Sequence, residues 1–166
     1  MALKILKALV TAVGGDIGQG VITSIALSSS TVKIIGMDMD HNSPGVFHCH
    51  VGYIVPPAKK TREYLEKLIT ICQDEKIDIA FVCSEQEQRL IARHSVYLAS
   101  KLKTYFVVQP LRVVDITEDK AKMYHALSQK GIKTPPICVQ HEHINEFAST
   151  YGFPIIVKPC RGSGSR

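Results

Sequence analysis

This sequence has no long apolar run. None approaches the roughly 20 residues that cross a bilayer, so a membrane span is not expected. The opening MALKILKALVTAV is interrupted by Lys4 and Lys7, and Gly14–Gly15–Asp16 follows without a small-residue cleavage pattern. It reads as the first strand of a folded domain, not as a leader. Cysteines are few, five in all, and none stands in C-x-x-C spacing. Cys72, Cys83, Cys138 and Cys160 lie in or beside apolar segments. They read as small buried hydrophobes of a cytoplasmic, reducing compartment, which excludes a disulfide framework. There is also no block of Lys and Arg and no interleaving of basic and aromatic residues, so a nucleic-acid surface is not expected.

What is present is the composition of a globular protein. Of 166 residues 45% are hydrophobic and 21% charged, with a formal net charge of +5. The positive balance favours small anionic partners, polyphosphates among them. Strand-like and helix-like stretches alternate through the first two thirds. Ile5 to Val13 predicts a strand and Ile17 to Leu27 a helix with Ile17, Val21 and Ile25 on one face. Val32 to Met37 predicts a second strand, and Phe47 to Val55 holds a short extended segment. Thr61 is expected to cap a helix reaching Asp74, with Tyr64, Leu65, Leu68, Ile69 and Cys72 inward. Ile77 to Val82 is the next strand, Gln88 to Ser100 a helix with Leu90, Ile91, Tyr97 and Leu98 inward, and Thr104 to Val108 another strand. This alternation predicts an α/β fold, a Rossmann-like parallel sheet with helices on both faces. Ligands of such sheets gather at the carboxyl ends of the strands. Gly14–Gly20, Asp38–Asp40 and Ser84–Glu87 all fall there.

A second unit is expected from Val113, which divides the chain into residues 1–112 and 113–166. Thr117 is the expected N-cap of its first helix, with Glu118 and Asp119 in the first turn. Lys120 contradicts that placement, because a cation opposes the dipole of a helix start. It also shares spacing with Tyr124 and Leu127 on the apolar side. A lysine so placed either snorkels to a carboxylate or meets an anion. Ile137–Gln140 predicts a strand, and Glu142 to Tyr151 a helix closed by Gly152. The last stretch reads FPIIVKPCRGSGSR. Ile155, Ile156 and Val157 predict a buried strand ending at Lys158, followed by a basic Gly/Ser loop suited to phosphate.

Three features together carry a family resemblance: Glu118–Asp119–Lys120, the span Gly131 to Pro136, and Phe153 to Pro159 leading into Arg161–Arg166. Residues 117–166 resemble the opening of an ATP-grasp domain. Residues 1–112 resemble the Rossmann-like domain that precedes it, most closely in the branch of the carbamoyl-phosphate synthase large subunit. The resemblance implies an ATP- and Mg2+-dependent ligase that activates a carboxylate or bicarbonate as an acyl phosphate for attack by an amine. It implies that Lys120 and Lys158 contact ATP, that Gly162, Ser163, Gly164 and Ser165 fold over its phosphates, and that Arg161 and Arg166 stabilise the transferring charge. Gly15, Gly18 and Glu85 are implied near the acceptor substrate. The family's metal ligands fall beyond residue 166, so these residues alone are expected to be inactive. A homodimer is compatible with all of this.

Two other readings compete. A dinucleotide-binding module would use the first glycine-rich turn with Asp38 on the ribose. Its glycines, Gly15, Gly18 and Gly20, run G-x-x-G-x-G and miss the required G-x-G-x-x-G. A non-catalytic regulatory or interaction domain derived from a ligase is the third reading. The pairs His48/His50 and His141/His143 have spacing that suits zinc when extended, yet they are far apart in sequence. They read as solvated loop histidines, and His94 as a satisfied core histidine. Glu87 reads as an acid favoured by a helix start.

Overall fold

A β-branched run becomes a buried strand only where neighbours pair with both of its edges. The first part of this chain meets that condition. The computed structural model describes residues 5–162. Those residues form two compact units, one ending at Leu111 and the other beginning at Arg112.

In the first unit the elements are β1 (Leu6–Thr11), α1 (Asp16–Ala26), β2 (Val32–Asp38), α2 (Pro44–Phe47), β3 (Val51–Ile54), α3 (Thr61–Glu75), β4 (Ile79–Phe81), α4 (Glu85–Arg93), α5 (Ser95–Lys101) and β5 (Tyr105–Val107). All four ladders are parallel and the strand order is β3-β2-β1-β4-β5. The expected Rossmann-like sheet is therefore present. The pleat splits the core in two. Leu9, Ile35 and Ala80 pack with Tyr64, Leu68 and Ile71 of α3, Ile91 of α4 and Leu98 of α5. Val10 and Ile34 point the other way and pack with Ile22 of α1. Because β1, β2 and β3 run to one side and β4 lies on the other, the order turns between β1 and β4. Such a turn opens the loops at the carboxyl ends of those two strands.

Several boundaries differ from expectation, each for a local reason. Pro44 opens a short helical turn, so only Val51–Ile54 is extended. Gly45 lets that turn pack closely on the chain after β1, since a Cβ there would collide with the carbonyl of Val13. Lys60, not Thr61, is the cap of α3. The predicted helix from Gln88 to Ser100 is two helices meeting at His94, whose Nδ1 lies 2.9 Å from the carbonyl of Leu90. That break turns Tyr97 outward, where it is exposed. Ile17 is exposed too, while Val21 and Ile25 pack against the core as expected, joined by the buried Gly18 and Ile22.

The second unit holds α7 (Lys120–Gln129), a 3-10 turn at His141–His143 and α8 (Ile144–Tyr151), while α6 (Leu111–Thr117) runs into it from the junction. Because α6 absorbs Thr117, the cap of α7 is Asp119, whose carboxylate accepts from the Lys122 N–H at 3.2 Å. Thr117 instead bonds back to the carbonyl of Val113 at 3.0 Å. Neither Ile137–Gln140 nor Ile155–Val157 forms a strand. No ladder partner pairs with them among the described residues, and Ile156 and Val157 remain 84% and 81% exposed. Gly152 closes α8 at φ +74°, as its position predicts.

Candidate functional site

Two sets of chemistry-bearing residues emerge, one in each unit. In the first unit the set lies at the carboxyl ends of β1, β2 and β4. Gly15 is the N-cap of α1 and is exposed. Gly18 is buried, and a Cβ at its position would lie 2.5 Å from the carbonyl of Ala12. Its role is therefore to let α1 approach the end of β1. Glu85 is the first residue of α4 and stands exposed at the end of β4.

Asp38 fastens the neighbouring loops. One carboxylate oxygen accepts from the Gly14 N–H at 2.7 Å, and the other accepts from the Asp40 N–H at 3.0 Å. Asp38 is buried. An acid held this way is committed to the backbone, which weakens the dinucleotide reading that required it on a ribose.

The largest polar network was not foreseen. Glu87 is buried, and its carboxylate accepts from Thr11 Oγ1 at 2.6 Å, Tyr64 Oη at 2.8 Å and Ser84 Oγ at 2.8 Å. Ser84 Oγ in turn accepts from the Glu87 N–H at 3.3 Å. Thr11 Oγ1 also accepts from the Cys83 N–H at 3.0 Å. One carboxylate thus ties the ends of β1 and β4 to α3 and fixes the loop that presents Glu85. Burial pushes the Tyr64 phenol well above the usual tyrosine range, and the charge of Glu87 adds to it. Burial likewise lifts the Cys83 thiol to about 11, again helped by Glu87, which disfavours its thiolate form. The available signal was Ser84-x-x-Glu87, a capping-box spacing.

In the second unit the start of α7 meets the last described loop. The Lys120 ammonium donates to the carbonyl of Gly162 at 2.8 Å, and the Lys120 N–H donates to the carbonyl of Cys160 at 2.8 Å. Arg161 Nε pairs with the Asp119 carboxylate at 3.3 Å. The backbone N–H of Lys122, and then Arg161, hold the Asp119 carboxyl below the usual range. Residues some forty positions apart therefore form one cluster of an ammonium, a guanidinium and a glycine with φ +115°. Lys120, Tyr124 and Leu127 are all half-buried, in keeping with their shared spacing. Lys158 is exposed two residues before this cluster. Ser163, Gly164, Ser165 and Arg166 lie outside the described residues.

His50 Nδ1 accepts from the Ile34 N–H at 3.0 Å, so it is bonded to backbone and not simply solvated. Among the described residues no group of three or more His, Cys, Asp or Glu side chains is placed to hold a metal ion. None of the described helices is long and apolar enough to cross a membrane.

Residues 9–102 match the family described as PylC-like, N-terminal domain. No curated protein matches the chain. Among solved structures, N5-carboxyaminoimidazole synthetase from Staphylococcus aureus, complexed with ADP, superposes with a TM-score of 0.64 at 20% identity, over 98% of this chain and 40% of that one. The biotin carboxylase domain dimer of 2-oxoglutarate carboxylase from Hydrogenobacter thermophilus, complexed with MgADP, ADP and bicarbonate, gives 0.61 at 17% identity, over 98% and 36%. A biotin carboxylase from Campylobacter jejuni, in a β-γ-ATP complex, gives 0.62 at 17% identity, over 96% and 36%. These likenesses share the fold, and this chain spans well under half the length of each structure.

Proposed function

The chain belongs to the PylC-like N-terminal domain family, and from that premise we propose that it is the N-terminal part of an ATP-grasp ligase. In this reading the ligase activates a carboxylate or bicarbonate as an acyl phosphate for attack by an amine, in the manner of carbamoyl-phosphate synthase. The observation that carries the reading is the meeting of Lys120 with the loop at Cys160–Gly162. Two motifs far apart in sequence form one cationic cluster beside a glycine whose backbone can approach an anion closely. The solved neighbours named for ADP, MgADP and bicarbonate support the choice of substrates.

The residues present suit a triphosphate. Lys120 would exchange the Gly162 carbonyl for a phosphate oxygen, a swap that replaces a neutral acceptor with a charged one. Lys158 would add a second ammonium. Gly162, with Ser163, Gly164 and Ser165, would donate to the phosphates, and Arg161 and Arg166 would offset charge during transfer. At the carboxyl ends of β1 and β4, Gly15, Gly18 and Glu85 would border the acceptor, with Glu87 fixing the loop that carries Glu85. The acceptor carboxylate attacks the terminal phosphorus, the bond to the bridging oxygen breaks, and ADP leaves. The amine then attacks the acyl carbon and displaces phosphate. Mg2+ would neutralise the phosphates, but its ligands are not among the described residues. A homodimer is the assembly we assign, by analogy with the dimer named for the 2-oxoglutarate carboxylase domain.

Titrations of residues 1–166 with ATP and with NADH test the reading. ATP is expected to bind weakly, near the millimolar range at about 4 kcal/mol. Lys120→Ala should abolish that binding, and NADH should not bind. Tight NADH binding, ATP binding indifferent to Lys120→Ala, or turnover of ATP into product by these residues alone would each overturn it.

A further inference from the structure

The amino ends of β1, β4 and β5, opposite the loops just described, border an open cavity of about 770 Å³. Four lysines line it: Lys7, Lys76, Lys101 and Lys103. Its floor is apolar, with Cys72 and Ile77 buried and Leu102 half-buried. Lys7 donates through its ammonium to the carbonyl of Glu75 at 2.7 Å. Lys76, Lys101 and Lys103 make no ion pair among the described residues. The one acid in the lining, Asp78, accepts from the Lys7 N–H at 3.0 Å.

Cations are favoured at helix C-termini, and α3 and α5 both end here. That accounts for one lysine at each helix end. It accounts for Lys7 as well, whose ammonium binds the last carbonyl of α3, but not for Lys103, which lies beyond α5. Lys76 is the most informative. It caps α3 in the left-handed conformation, with φ 54° and ψ 55°. Glycine is the usual residue there, because a Cβ makes this conformation costly. The chain accepts local strain and places a cation at the cavity. Four lysines lining one open cavity raise the positive potential there, and that favours an anionic ligand. The volume lies in the range of small-molecule sites.

We propose that this cavity is a second ligand site, for an organic phosphate whose apolar body rests on Cys72, Ile77 and Leu102. It is separate from the triphosphate cluster and independent of that reading. Phenyl phosphate is the probe, with phenol and inorganic phosphate as its two halves. Amide NMR shifts of residues 1–166 should move at Lys76, Ile77, Leu102 and Thr104 with phenyl phosphate, and much less with either half. Lys76→Gly combined with Lys103→Ala should weaken binding at least about tenfold, with the thermal midpoint unchanged or raised because glycine relieves the cap. Lys101→Gln with Lys103→Gln should weaken it without touching the cap. Lys120→Ala should leave it unchanged. Shifts confined to residues 160–162, binding undiminished in both double variants, or phenol binding as tightly as phenyl phosphate would overturn the proposal.

Discussion

The two units use similar sequence signals and reach different outcomes. Ile34–Ile35 in β2 and Ile155–Ile156–Val157 near the end are both β-branched runs. The first lies between β1 and β3 and is buried. The second has no ladder partner among the described residues and is mostly exposed. In the second unit Val114 is the buried residue among those described, whereas the first unit carries two core clusters. Propensity proposes a strand, but pairing and burial decide it.

Substitutions can break or sharpen that contrast. The largest loss is expected for Glu87→Ala, which leaves the hydroxyls of Thr11, Tyr64 and Ser84 without their acceptor and should cost about 4 kcal/mol of unfolding free energy in urea titration. Leu68→Ala, at a fully buried site, should cost about 3 kcal/mol in the same assay. Gly18→Ala forces a Cβ against the Ala12 carbonyl and should cost about 2 kcal/mol. At the other extreme, Ile156→Ala should change stability by less than about 0.5 kcal/mol. A loss as large as that of Leu68→Ala would show that the second unit buries this run after all.

A smaller effect depends on pH. Lys33, then Tyr53, hydrogen-bond Glu75 and hold its carboxyl below the ordinary range. A carboxyl depressed in the fold adds stability above its unfolded value and loses it as pH falls through its folded value. Glu75→Gln should therefore be less stable than the parent near about pH 6, and the gap should close toward about pH 3. A gap that widens on acidification would contradict the assignment.

The sheet was legible because strands β1, β2 and β4 are short apolar runs separated by helical spacing, and burial on both faces demands such runs. Lys120 was legible as a misfit, a cation where a helix start should be acidic. The cap was misread because Thr117 and Asp119 are both good cap residues, and the choice depends on α6, which no strong periodicity announces. Glu87 was read through the helix dipole alone. Its partners Thr11 and Tyr64 come from other elements, and their convergence is a property of the fold. Ile155–Val157 failed as a strand because a sequence run carries no information about whether an edge is waiting for it.

The central claim is that the start of α7 and the loop at Cys160–Gly162 form one phosphate-binding cluster. Amide hydrogen exchange of residues 1–166, with and without saturating ATP, tests it most directly. Slowed exchange at Lys120 and across Cys160–Gly162, absent in Lys120→Ala, is the predicted result. Protection appearing instead at Gly14–Gly20, with Lys120 and Gly162 unchanged, would contradict it.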